Sequence, residues 1–529
     1  MKKNIIFLLA ILVLGILIFY NLLAVQNFAG RFIYPLDDSY IHLSIAKNFA
    51  ESGTWGITKY EFSSTTSSPF FTLLLAVLIR IFGNWEYLSF VANIVAGLVL
   101  LYILHRYLKN FSTTVYAVVL LAIVLLMPLH LMIMMGMEHV FHTLMMILVL
   151  ITFEKYLEKS NLRNFSLLVL FSVFATGFRY ESLFFIIFIC IYLFFIRKEF
   201  AKSIVLGIFT LLPVLVYGWI SLQKGSFFLP NSLILKGNTN DELAGFLRRV
   251  VHNAKLSLSV LVLIPVLCVQ IFFQSKKIKS FSGKISKNVL PLVVLGGFFV
   301  HLLFANFGWL IRYEAYLVVL ILWAIAPFLE NVFSNFRQMK IVGLGILVLF
   351  SVTFEKRFIT TLKKQQIASK NIFDQQIQMA NFIHKYYNHS KIIANDIGAI
   401  TYFSDIHLLD TFGLGSIEVA KLKVAKFRKH GKNENNENVQ SLRFKSLQSY
   451  FYKTAKAENF DIALVYDSWA KMPDYFTKVG TLTLTDNYIC GGKTVSFYSV
   501  KKENAEKLRN QLKEFSAKTP KDVIVKIIN

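Results

Sequence analysis

Long apolar runs separated by short charged breaks dominate the chain, and that alternation predicts its elements. The first run extends from about Ile5 to Val25 behind Lys2 and Lys3, and reads as an uncleaved anchor with its N-terminus inside. Further spans are predicted near 86–104, 113–131, 139–157, 164–179, 182–196, 203–221, 257–273, 289–307, 313–330 and 340–354. Pro69 to Phe82 is apolar but too short for a comfortable crossing, which suits an interfacial or re-entrant helix. Parity decides its place. If it does not cross, the basic breaks Arg106/Lys109, Lys155/Lys159/Arg163, Arg197/Lys198/Lys202, Lys276 to Lys287 and Arg337/Lys340 all fall inside. That gives about 11 spans and an exterior C-terminus.

From Glu355 the pattern changes. A helical stretch, Ser369 to Tyr387, precedes strand-like runs at Lys391 to Ala394, Ile462 to Tyr466, Thr481 to Leu484 and Val495 to Val500. The expectation is a transmembrane domain over 1–354, with a first outer loop at 26–85, and an extracytoplasmic α/β domain over 355–529. Lys421 to Gln440, basic and then Asn/Glu-rich, reads as a mobile insertion.

Composition fits this picture. Hydrophobic residues make up 55% of 529 and charged residues 16%, too apolar for an ordinary soluble protein. The net charge of +25 resides in the breaks between apolar runs, as expected of cytoplasmic loops, so nucleic acid is set aside as a partner. Cys190, Cys268 and Cys490 are far apart and imply neither a disulfide framework nor a CxxC metal site.

Candidate chemistry sits after the first run. Asp37 and Asp38 stand before a predicted amphipathic helix, Ser39 to Glu51, with an Ile41/Ile45/Phe49 stripe and a stop at Gly53. One aspartate at a helix start caps free N–H groups; a second adds repulsion that capping does not need. The pair is a candidate for taking a proton or for binding a cation, and hard oxygen ligands would suit a divalent ion. On the same expected face lie Glu138, the Arg179-Tyr180-Glu181 turn, Asn231 with Lys236, and Arg312-Tyr313-Glu314. Arg179 paired with Glu181 or Glu138 could simply tie helices together, and Arg312 could snorkel. As a set, cations beside carboxylates at membrane depth make a site able to hold a phosphate.

These residues resemble the GT-C superfamily of polyprenyl-phosphate-sugar-dependent glycosyltransferases, closest to the mycobacterial terminal β-arabinofuranosyltransferase branch. The matching pieces are Asp37-Asp38-Ser-Tyr-Ile, Thr66-Ser-Ser-Pro-Phe-Phe, Gly136-Met-Glu138, Arg179-Tyr-Glu181, Leu229-Pro-Asn231 with Lys236, Arg312-Tyr313, and Asn395 to Asp405 with Leu409-Asp410. Tyr180 stands where that branch often has Pro. The resemblance implies a multi-pass enzyme of the bacterial inner membrane, with its active site outside. It would move a hexosyl or pentosyl group from a polyprenyl-phosphate donor to a cell-envelope glycan or glycolipid, with inversion. It points to Asp37 as base, with Asp38 capping the helix, orienting its neighbour or sharing a cation. Arg179, Lys236 and Arg312 would contact the donor phosphate, with Glu138, Glu181, Asn231 and Tyr313 in support. A nucleotide motif is neither implied nor found: there is no GxxxxGK[ST] or GxGxxG. Two other classes compete. A transporter or flippase would also carry charge at membrane depth, but matched halves with interrupted helices are not visible. A plain anchor for the C-terminal domain would need neither so many spans nor the acidic pair.

Overall fold

The computed structural model describes residues 1–236, 243–335, 339–429 and 437–528. It is a helical membrane architecture carrying a C-terminal α/β domain. Among the described residues seven helices are long and apolar enough to cross a bilayer: Lys2–Ala29, Leu88–Leu108, Thr113–Met135, His139–Glu158, Phe200–Gln223, Leu258–Ser275 and Ala315–Ser334. The bent pair Phe281–Lys287 and Val289–Phe304 raises the number to eight. The expectation of about 11 also took in three shorter apolar runs. Two of them are Leu162–Phe178 and Tyr180–Ile196, separated where the sequence placed the Arg179-Tyr180-Glu181 turn. The 340–354 run is a helix of 15 residues.

Pro69–Phe82 is the 14-residue helix that its length predicts. Just before it, Thr66 Oγ1 lies 3.3 Å from His42 Nδ1; just after it, Asn84 Oδ1 accepts a hydrogen bond of 3.0 Å from Tyr402 of the C-terminal domain. At the opposite end Lys3 Nζ donates to the Lys109 and Phe111 carbonyls at 2.7 and 2.6 Å, so the N-terminus and the first basic break share a level.

The expected boundary at 354/355 falls inside one helical run. Lys340–Phe354 continues through a π-turn, Glu355–Ile359, into Thr360–Ile372, a second π-turn and Gln378–Tyr386. Beyond it, among the described residues, six strands form one sheet: β1 (Lys391–Ala394), β2 (His407–Asp410), β3 (Ile462–Val465), β4 (Thr477–Leu484), β5 (Thr494–Ser499) and β6 (Val523–Ile527). Their order is β2-β1-β3-β5-β4-β6, with β1 parallel to β2 and β3 and the remaining pairs antiparallel. The expected strands are β1, β3, β4 and β5; β2 and β6, the two edges, were not anticipated. Over Lys421 to Gln440, expected as a loose insertion, helices Ile417–Lys429 and Glu437–Glu458 supply the described residues. Residues 430–436 and Arg337 lie outside the described residues.

Candidate active site

The helix after the first outer turn runs from Asp37 to Ser52 and stops at Gly53, whose φ of 72° is the left-handed conformation glycine tolerates. It starts two residues before the expected point, with Leu36 as N-cap, so Asp38 does not cap it. Ile41 and Ile45 of the predicted stripe are buried while Phe49 is exposed. Adjacent positions on a helix point in different directions, and the two aspartates part company accordingly.

Asp38 faces a cavity of about 460 Å³. Its Oδ2 accepts from the Arg312 guanidinium at 2.7 Å and its Oδ1 from Lys236 Nζ at 3.3 Å. Burial alone would raise its carboxyl, but Lys236 and Arg312 hold it well below the usual carboxylate range. Asp37 turns to the C-terminal domain. Its Oδ2 and Oδ1 accept from the backbone N–H groups of Gly398 and Ala399 at 2.7 and 2.8 Å, where the short helix Gly398–Phe403 begins. Only glycine allows this approach: a Cβ at 398 would sit 2.2 Å from the Asp37 carbonyl oxygen. Burial, then the nearby Asp396 carboxylate, push Asp37 up to about 7 against those two bonds. Asp396 is raised as well, chiefly by burial, while accepting from Tyr466 and from Gln376.

The other predicted residues gather around Asp38. Glu138 is fully buried at the start of His139–Glu158 and accepts from Arg179 at 2.6 Å; Arg179 also pairs with Glu181. Tyr313 has the Arg312 guanidinium 4.8 Å and the Arg179 guanidinium 5.5 Å from its ring centre, a doubled cation–π contact. Arg179 and Arg312 are both buried, and the Nε of each lacks a hydrogen-bond partner. Asn231 does not line the cavity; its side chain donates to the Leu414 carbonyl at 3.1 Å and fastens the outer loop to the C-terminal domain.

Three contributors were not singled out from sequence. His42 is buried beside Thr66 and Thr72, with Nε2 3.5 Å from Glu138 Oε2, and burial lowers its pKa so that it is neutral. Its place four residues past Asp38, one helical turn on, was the available signal. Arg249 lines the cavity from Leu243–Leu256. Asp396 was part of the quoted Asn395 to Asp405 motif without a role. A divalent ion on the aspartates would meet a poor ligand set, because Asp38 is taken up by two cations and Asp37 by two N–H groups. Among the described residues no group of three or more His, Cys, Asp or Glu could hold a metal.

With this geometry in place, similarity to known proteins can be weighed. The crystal structure of ArnT from Cupriavidus metallidurans bound to undecaprenyl phosphate is similar with a TM-score of 0.52 and 10% identity, over 94% of this chain and 98% of that one. The chain has the GT-C fold. The oligosaccharyltransferase from Archaeoglobus fulgidus in its apo form gives a TM-score of 0.48 at 10% identity, over 97% of this chain and 76% of its own. A domain of unknown function, DUF8728, matches residues 367–498, within the C-terminal region. No curated protein matches the chain. The likeness reaches the fold and does not single out the arabinofuranosyltransferase branch.

Proposed function

We propose that the chain transfers a sugar from a polyprenyl-phosphate donor to a cell-envelope glycan or glycolipid on the outer face of a bacterial inner membrane, with inversion. The observation that carries this reading is the convergence of Arg312, Lys236 and Arg179 on one cavity beside an aspartate pair at the outer-domain seam. The solved ArnT of the same fold was crystallised with undecaprenyl phosphate, which supports a lipid phosphate as the ligand.

The chemistry divides between the aspartates. Asp38, held acidic by its cations, is a poor proton acceptor and instead keeps Arg312 and Lys236 in place. Asp37, raised to about 7 and half-buried against the C-terminal domain, has an affinity for protons matched to neutral pH. It takes the proton of an acceptor hydroxyl that enters along the seam with Gly398–Phe403. That oxygen attacks the anomeric carbon, the bond from this carbon to the phosphate oxygen breaks, and the electron pair leaves with the lipid phosphate. Arg312, Lys236 and Arg179 stabilise the charge that develops there. Donor breakdown drives the step, so no nucleotide is needed.

The test is incubation of the purified protein with a panel of polyprenyl-phosphate sugars and a glycan acceptor, scoring free lipid phosphate. Release with one donor, lost in Arg312→Ala, is expected. Movement of intact donors between leaflets of proteoliposomes, without release, would replace the reading by transport.

A further inference from the structure

Arg312 and Tyr313 emerge from an unusual turn. Gly308, Trp309, Leu310 and Ile311 have φ values of 82°, 48°, 60° and 52°, four consecutive residues in the left-handed region. Only the first is a glycine. A Cβ disfavours this conformation, most of all in a β-branched residue such as Ile311. Such a turn persists only where its surroundings over-determine it.

The surroundings are a second buried ion pair, between residues 43 apart in sequence and not part of the transfer chemistry. Arg357 and Glu314 are both fully buried. Glu314 Oε2 accepts from the Gly308 N–H at 3.0 Å, the first amide of the turn, and its Oε1 accepts from Arg357 at 3.4 Å. Arg357 also donates to the Ile311 carbonyl at 3.4 Å, the last carbonyl of the turn, to the Leu126 carbonyl at 2.6 Å and to Ser259 Oγ at 3.3 Å. The pair therefore clamps the turn at both ends. Arg357 belongs to the π-turn Glu355–Ile359, where the helix that leads to the outer domain departs from α geometry. Turns of this kind inside helices often mark functional positions.

We propose that Arg357, with Glu314, is a positioning residue that holds the left-handed turn 308–311 and so aims Arg312 and Tyr313 into the cavity. Its effect on the donor rests on the reading that Arg312 meets the donor phosphate; its hold on the turn does not. A single ammonium cannot serve the four acceptors that the guanidinium reaches, so Arg357→Lys keeps the charge and loses the clamp.

The experiment compares the full-length protein in detergent with Arg357→Lys, Glu314→Gln and the double variant Arg357→Lys/Ile311→Gly. Hydrogen exchange is followed at residues 308–312 and at strands β1 and β3, and binding of a short-chain polyprenyl monophosphate is measured. Expected are amide exchange about tenfold faster at the turn with the strands unchanged, and binding about tenfold weaker or more. Added Ile311→Gly, which accepts the left-handed conformation freely, should restore part of the binding. Unchanged exchange at the turn, or faster exchange everywhere including the strands, would overturn the proposal. If the wild type fails to bind the monophosphate, the phosphate reading falls while the exchange comparison still decides whether Arg357 holds the turn.

Discussion

Substituting Asp38 by Asn should strengthen binding of the donor phosphate, although the residue sits in the middle of the site. In the free protein the Asp38 carboxylate neutralises Arg312 and Lys236 at 2.7 and 3.3 Å, and those are the cations a phosphate must recruit. A bound phosphate and the carboxylate would repel each other. For unit charges about 5 Å apart at an effective dielectric near 20, the repulsion is roughly 3 kcal/mol. The Asp38 side chain is 23% exposed, and water and salt in the cavity reduce the figure to about 1–3 kcal/mol. A second effect has the same sign. Without its carboxylate partner Arg312, only 2% exposed, is a buried cation in want of an anion. The ligand-free variant should therefore melt at a lower temperature, and phosphate should raise its Tm more than it raises that of the wild type. Titration with a sugar-free polyprenyl monophosphate at two ionic strengths reads the affinity directly, and a gain of about 5- to 150-fold is expected. Tenfold weaker binding in the variant would refute the reasoning: the hold of Asp38 on its cations would then outweigh its repulsion of the ligand.

Asp37→Asn should keep monophosphate binding and lose transfer by orders of magnitude, since an amide takes no proton at neutral pH. Near-normal turnover would remove Asp37 as the base. The same variant tests the linkage to stability: an acid raised from 3.8 to about 7 stabilises the fold fully below about pH 4 and loses that contribution as pH rises through 7, at most roughly 4 kcal/mol. Thermal unfolding between about pH 4 and 8 should show a shallower decline for the variant, and equal slopes would argue against the shift. Gly398→Ala, whose Cβ would collide with Asp37, should cost about 1–3 kcal/mol of stability in thermal unfolding, whereas Ala399→Gly keeps its N–H and should cost less; equal losses would count against the contact. For topology, after the three native cysteines are replaced, an impermeant reagent on intact cells should label a cysteine at 503 and not one at 280; the reverse pattern would invert the orientation.

What the sequence makes legible here follows from what is local. Apolar runs announce helices because each span must satisfy its backbone internally and bury its side chains in lipid. Asp38, Glu138, Arg179, Lys236, Arg312 and Tyr313 were legible because charge is expensive at membrane depth, and all six line the cavity. The turn at Arg179-Tyr180-Glu181 was legible too, between two expected spans that appear as Leu162–Phe178 and Tyr180–Ile196. The partition of the aspartates was not legible at all. It depends on Gly398 and Ala399, some 360 residues further on, presenting their N–H groups to Asp37. Arg357 escaped notice for a similar reason. In sequence it is one charge in the basic, polar start of the tail; only the fold shows it buried against a carbonyl at Leu126 and a carboxylate at Glu314.

Those long-range contacts also bear on the choice between transfer and transport. Alternating access requires one side of a midplane site to part from the other. Here one side of the site is fastened at three points by the C-terminal domain. Asp37 is bound to Gly398 and Ala399, Thr65 Oγ1 donates to the Leu414 carbonyl at 2.9 Å, and Asn231 donates to the same carbonyl at 3.1 Å. Opening outward would strand the Asp37 carboxylate and leave Asn231, fully buried, without its acceptor. A transferase has no need to break these contacts. The fastened seam therefore favours chemistry at a fixed site, and it explains why one carboxylate of the pair belongs to the outer domain and the other to the cavity.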